Sequence, residues 1–326
     1  MTSSLKVLDP REINVTDARA SVLMEEGIRL LKSENDADAA LLYFDRALEL
    51  RRQLPGEMPM HAYGLAACWL NRAEALTRLG PSHHAMALRA YDEALALLRS
   101  LPLDVDVRFS KRLAIAHQNR ALVLAAQDPP AIADAVSTLA NAIAVLDHAE
   151  AMDAREREYL LAVVWMNLAN IQASEATTTS DLAAQEAARR ALTLIKAREH
   201  EDAAAAETGL KALHVLCRIA AGRLVAQADR DTVMADDVHE ATDLAEDGLE
   251  LVREWERRGV DRFRSVAADL LRFGARVYAH YQPHFLHEFI NEQLDPQQSS
   301  DAYVQSAEMQ DVAHEVARLM PPTSIR

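Results

Sequence analysis

The sequence predicts an all-α protein: a right-handed α-solenoid of antiparallel helical hairpins, closed by a helical C-terminal cap. Three observations lead there. First, five sets share one pattern: an alanine, a second residue four positions on, and a small residue three further. They are Ala40/Phe44/Ala47, Ala87/Tyr91/Ala94, Ala135/Leu139/Ala142, Ala184/Ala188/Ala191 and Ala241/Ala245/Gly248. Recurrence at a roughly constant interval is the packing pattern of one helix in a repeated hairpin. Second, the segments Trp69–Ala73, His117–Ala121 and Trp165–Ala169 keep an even spacing, with Asn71, Asn119 and Asn167 each 48 residues apart. Third, the chain is 50% hydrophobic but only 5% aromatic, with nine glycines in 326 residues. Alanine and leucine, both strong helix formers, carry the apolar content. There is no alternating Val/Ile/Thr run and no Asn-Gly hairpin turn.

The elements follow in order. Residues 1–15 read as a flexible or extended arm, with Pro10 blocking an early helix. A first helix over about 16–32 carries Leu23, Gly27, Leu30 and Leu31 on one face, and the polar run Ser33 to Asp36 turns the chain. Asp36 suits the N-cap of a partner helix that Pro55-Gly56 ends. The unit then recurs, with helices at about 59–79 and 82–101, 105–127 and 131–149, 153–175 and 180–199, and 203–227 and 232–258. Gly80-Pro81-Ser82, Asp128-Pro129-Pro130 and Thr177 to Ser180 supply the turns within three of them. A sixth first-type helix spans about 261–281, where Pro283 breaks it. A short helix to about 294, a loop at 295–300 and a last helix at 301–320 complete a cap whose outer face meets water. The expected organisation is therefore an arm at 1–15, five hairpins over 16–258, and a degenerate sixth unit with capping helices over 259–326.

Bulk properties narrow the function. A formal net charge of -15 repels phosphate backbones, so nucleic acid is not expected as a partner. No stretch is apolar and long enough to span a bilayer. The opening MTSSLKVLDPREINV lacks the basic and apolar regions of a signal peptide, which points to a cytoplasmic protein. Cys68 and Cys217 lie in separate apolar segments and read as buried free thiols rather than a disulfide or zinc site. No Walker loop, GxSxG or HExxH motif occurs, so no enzymatic activity and no cofactor are expected.

On these residues the chain resembles the tetratricopeptide repeat family over roughly residues 16–281. That family's first helix carries a large residue with a small one four later, here Trp69/Ala73, His117/Ala121, Trp165/Ala169 and Leu23/Gly27. Its second helix carries the small–large–small series. The usual interval is about 34 residues, so spacings near 48 make each helix about two turns longer. This is similar to the long-helix, kinesin light chain type. The closing proline is present only at Pro55 and Pro102.

The resemblance implies a concave groove lined by the first helices, with an asparagine facing it. Asn71, Asn119 and Asn167 would then form a row of amides. Each amide offers a donor and an acceptor to the backbone of an extended peptide, whatever its side chains. The competing role for each is a hydrogen bond between neighbouring helices. Glu74, Arg78, Gln118 and Asn170 flank the row and would set side-chain preference. Arg72 and Arg120 are placed to clamp a carboxylate or, more in keeping with their position, to form interhelical salt bridges. Trp69 and Trp165 read as core residues.

Two other features bear on function. His280, His284, His287 and Glu288 have metal-ligand spacing on a continuous helix, which Pro283 interrupts. Surface histidines are the simpler reading. Asp236, Asp237, Glu240, Asp243, Glu246, Asp247, Glu250 and Glu254 give residues 229–256 a negative face. The functional expectation is a non-enzymatic scaffold or adaptor for a protein or peptide partner. The alternatives are a peptide-sensing regulator and a helical metalloprotein. Self-assembly through exposed repeat ends, and a terminal segment such as 1–15 folding into the groove, are further expectations.

Overall fold

The computed structural model describes residues 9–294 and 301–319. The first helix, α1 (Pro10–Arg29), starts earlier than the sequence suggests. Pro10 opens it instead of blocking it, because the first helical residue needs no N–H. Asp9 Oδ1 accepts hydrogen bonds from the Arg11 and Glu12 amides at 2.7 and 2.8 Å, and Glu12 reaches back to the Asp9 amide at 3.1 Å. Residues 10–15 of the expected arm are thus helical, while residues 1–8 lie outside the described residues.

The remaining helices fall close to their expected bounds. They are α2 (Ala37–Arg51), α3 (Pro59–Arg78), α4 (His84–Arg99), α5 (Val107–Ala125), α6 (Ile132–Asp147), α7 (Ala154–Ala173), α8 (Thr178–Ile195), α9 (Ala203–Ala228), α10 (Ala235–Arg257), α11 (Arg264–Tyr281) and α12 (Leu286–Leu294). Caps explain several starts. Asp36, Thr177 and Asp202 each accept from a backbone amide of the first turn. Asn35, with φ of 54°, ends the π-helical turn after α1 in the left-handed region. The last expected helix is two, α13 (Asp301–Val304) and α14 (Ala307–Ala317), because Ser306 caps a new start. The loop expected at 295–300 lies outside the described residues. No strand occurs among them.

The chain divides into two compact units at Arg157/Glu158, inside α7. In the first unit the hairpins α1/α2, α3/α4 and α5/α6 each pack on the next in sequence. In the second, α8 packs on α9, α9 on α10, and α10 on α11, and α14 covers α11. Both are the stacked-hairpin arrangement of an all-α solenoid.

The small–large–small series is the core of both units. Phe44, Tyr91 and Leu139 are buried, as are all the alanines of the five sets and Gly248. Close approach explains the small partners on the first helices. A Cβ on Gly27 would stand 2.5 Å from Phe44, so only glycine lets that ring lie against α1. In the second unit Leu286, Phe289, Ile290, Tyr303, Met309, Val312 and Val316 join α9–α11 in a single apolar cluster. Arg272 and Arg276 both pair with Glu315, at 2.9 and 2.7 Å, which ties α14 to α11.

Candidate functional site: a groove on the first helices of the first unit

Residues at three- and four-residue steps along a helix share a face. On α3, Tyr63, Gly64, Ala67, Asn71 and Glu74 do so; on α1, Asp17, Ser21, Met24 and Ile28 do, and Leu31 of the π-helical turn continues the row. The two faces line an open groove of about 620 Å³. Its middle is apolar, from Met24, Ile28 and Ala67, and its ends are polar.

Arg51, from the end of α2, crosses the groove floor. Its Nη1 donates to Asp17 at 2.7 Å and its Nη2 to Ser21 at 3.1 Å, with only 11% of the side chain exposed. Gly64 makes that path possible, since a Cβ there would lie 1.9 Å from Arg51 Nη1. Beneath it, burial pushes the Cys68 thiol up to about 12, so this cysteine stays a neutral core group. At the same end, Arg112 of α5 lies over the Tyr63 ring at 5.3 Å and donates to its hydroxyl at 3.1 Å. Tyr63 in turn packs on Phe109, ring centroids 5.4 Å apart.

The expected site residues have different surroundings. Asn71 and Glu74 line the groove. Arg78 donates to Glu74 and to the Leu31 carbonyl, both at 2.8 Å, and so closes the C-terminal end of the α1 turn. Arg72 and Arg120 make interhelical ion pairs, to Asp45 of α2 at 2.6 Å and Asp92 of α4 at 2.8 Å. Arg120 also reaches Thr138 of α6 at 3.2 Å. Asn119 is half-buried beside the Tyr91 hydroxyl of α4, whose pKa burial pushes up to about 12. Gln118 is half-buried on α5. Asn167 is half-buried and Asn170 exposed, both on α7 in the second unit.

The aromatic position two residues before each asparagine also varies. Trp69 is half-buried, with Arg52 and Arg72 over its ring at 5.0 and 5.7 Å; Trp165 carries Arg190 at 4.7 Å. His117 is only 3% exposed, and its Nδ1 has no hydrogen-bond partner. Burial, with Arg99 and Arg120 nearby, pushes its pKa down to about 4.

The acidic stretch is partly neutralised within its own unit. Arg223 bonds Asp237 and Glu240 at 2.7 and 3.1 Å, Arg189 bonds Glu240 at 2.6 Å, and buried Glu256 holds Arg264 at 2.7 Å. Asp236, Asp243, Asp247 and Glu250 remain exposed. His280, His284 and His287 do not share one helix, because α11 ends at Tyr281 and α12 begins at Leu286. No group of His, Cys, Asp and Glu side chains among the described residues is arranged to hold a metal ion. No helix among them is long and apolar enough to cross a membrane.

Sequence reasoning missed Arg51, Tyr63, Gly64 and Arg112. One signal was present: Gly64 and Arg112 stand 48 residues apart, the spacing of the asparagines. A glycine at one copy of a repeat position and an arginine at the next marks a place where adjacent first helices differ in what they present.

No protein-family model matches the chain, and no curated protein matches it. Among solved structures it is similar to the S. pombe nuclear import adaptor Nro1. One Nro1 structure aligns with a TM-score of 0.51 at 12% identity, covering 93% of this chain and 99% of that one. A second gives 0.51 at 14% identity, covering 97% and 100%. The likeness is one of fold: this chain shares with Nro1 an all-helical, repeat-like architecture over nearly the whole length of both.

Proposed function

We propose that the protein is a non-enzymatic adaptor that holds a segment of a partner protein in the groove between α1 and α3. The observation that carries this reading is the groove's composition. An open cleft of about 620 Å³ has an apolar middle, a half-buried amide at Asn71 and polar ends. A cleft of this kind suits a peptide segment, with apolar burial for affinity and few polar groups for orientation. Asn71 is the residue that meets the peptide backbone, and Glu74 stands one turn beyond it. Arg72, Arg78 and Arg120 pair with groups on other helical segments, so in this reading they shape the groove and do not touch the segment, and Asn119 lies outside its lining. Asn167, Gln118 and Asn170 belong to the same repeat register, and the proposal puts no weight on them.

Two further points support the reading. The similar solved structures belong to a protein described as a nuclear import adaptor. The 48-residue register with its small–large–small series resembles that of tetratricopeptide hairpins with lengthened helices, and helical solenoids present extended binding surfaces.

A photo-crosslinking residue placed at Ala67, inside the groove, tests this against one at exposed Ala96 of α4. In native extract, a discrete crosslinked protein at Ala67 and none at Ala96 is the expected result. The same product at both positions, or a product at Ala96 alone, would remove the groove from the account.

A further inference from the structure

The groove does not share the acidity of the chain. Its lining holds three acids, Asp17, Glu25 and Glu74, and three bases, Lys32, Arg51 and Arg112, against a net charge of -15 overall. Internal pairing then sorts them. Arg51 is bound to Asp17, and Glu74 to Arg78. At the N-terminal end of α5, Arg108 pairs with Asp106 and Lys111 with Glu156. Arg112 differs from these neighbours: it makes no ion pair among the described residues, and its hydrogen-bond partner is the neutral Tyr63 hydroxyl.

Arg112 is also held in place. The Tyr63 ring lies under its guanidinium, and that ring is wedged against Phe109, which is 2% exposed. An arginine already ordered loses little side-chain entropy on binding. Its planar fork still has donors free for a carboxylate, which it engages with two parallel bonds. Lys32 and Glu25, by contrast, are exposed side chains of the lining that binding must order.

We infer that the partner segment presents an acidic side chain to Arg112, about four residues from the residue whose backbone Asn71 holds. This deepens the proposed groove function and rests on it. The spacing follows from geometry. Tyr63 and Asn71 are eight residues apart on α3, or about 12 Å along the helix. An extended chain rises about 3.3 Å per residue, so about four residues span the gap. Midway stands Ala67, whose methyl leaves room for a large side chain flanked by Met24 and Ile28. Alternate side chains of an extended segment point the same way. The acid, a large apolar residue two positions on, and the Asn71-held residue two further therefore share one face.

The test is a peptide-display selection on the full chain. The probes are random twelve-residue peptides fused at their C-termini, so any carboxylate selected is a side chain. Wild type, Arg112→Gln, Arg112→Lys and Asn71→Ala are compared, each first shown to keep its urea midpoint. Wild type is expected to enrich peptides with Asp or Glu two residues from a large apolar residue. Those peptides are expected to bind Arg112→Gln at least about tenfold more weakly, with Arg112→Lys in between. Peptides that need Asn71 but show no acid, or that ignore Arg112→Gln, overturn this inference and leave the groove reading standing. Peptides that hold Asn71→Ala as well as wild type, or no enrichment at all, overturn both.

Discussion

Hairpins α3/α4 and α5/α6 are neighbouring copies of one pattern, yet they treat the same register differently. Each carries an asparagine at the repeat position, an arginine after it and a large ring before it. In both, the arginine pairs with an aspartate on the second helix of the preceding hairpin, Arg72 with Asp45 and Arg120 with Asp92. The ring and the amide diverge. Trp69 lies half-exposed between two arginines, whereas His117 is sealed in the core. Asn71 faces a groove, whereas Asn119 lies beside the buried Tyr91 hydroxyl. A repeat fixes where a side chain stands. What it does there depends on the residues that the neighbouring copies bring to it.

Position 64 offers the sharpest way to break the comparison. Gly64→Val would drive the Arg51 guanidinium out of its path and leave Asp17 without its partner. The expected loss is about 3 kcal/mol in urea denaturation. The register-equivalent substitution in the next hairpin, Arg112→Val, is expected to cost much less, since Arg112 makes no ion pair among the described residues. Equal losses would mean that Arg51 does not need the space.

Acid separates the two rings. The folded-state pKa of His117 is pushed down to about 4, below its unfolded value, so the unfolded chain binds this proton first. Stability therefore falls as the pH drops below about 6.5, and the loss is complete near pH 4. Relative to His117→Leu, the wild type is expected to lose roughly 3 kcal/mol across that window. Trp69 has nothing to titrate, so Trp69→Leu should leave the wild-type pH dependence unchanged. A His117→Leu curve parallel to wild type would show that the imidazole is hydrated or paired.

The interhelical ion pairs are a smaller effect shared by both hairpins. Arg72→Ala and Arg120→Ala are each expected to cost up to about 1 kcal/mol, because Asp45 and Asp92 are 45% and 56% exposed. Arg120 should lose the more, as it also bonds Thr138. Salt titration of the unfolding midpoint would show the difference.

Much of the fold was legible in the sequence because helix packing through alanine leaves a local record. The series Ala40/Phe44/Ala47 and its repeats needed no tertiary knowledge, and Asp36, Gly80 and Pro283 marked turns by their backbone chemistry. Pro10 misled because the same ring that breaks a helix interior also favours its first residue; Asp9 and Glu12 together held the deciding signal. Of the groove lining, Asn71 and Glu74 were legible from their register, and so was the choice facing Arg72 and Arg120 between ligand and ion pair. Arg51 and Arg112 were not found, because they come from α2 and α5 and enter the α1/α3 groove by packing alone.

The most direct measurement sets Asn71→Ala beside Asn119→Ala, each carrying the crosslinker at Ala67, with urea midpoints and crosslinking in native extract read on the same samples. The account predicts that Asn71→Ala keeps its midpoint and loses the crosslinked partner. It predicts that Asn119→Ala keeps the partner, because Asn119 stands beside the Tyr91 hydroxyl and does not line the groove. A folded Asn71→Ala that still captures the partner at Ala67 would contradict the claim that this amide, and not its copy one hairpin on, holds the bound segment.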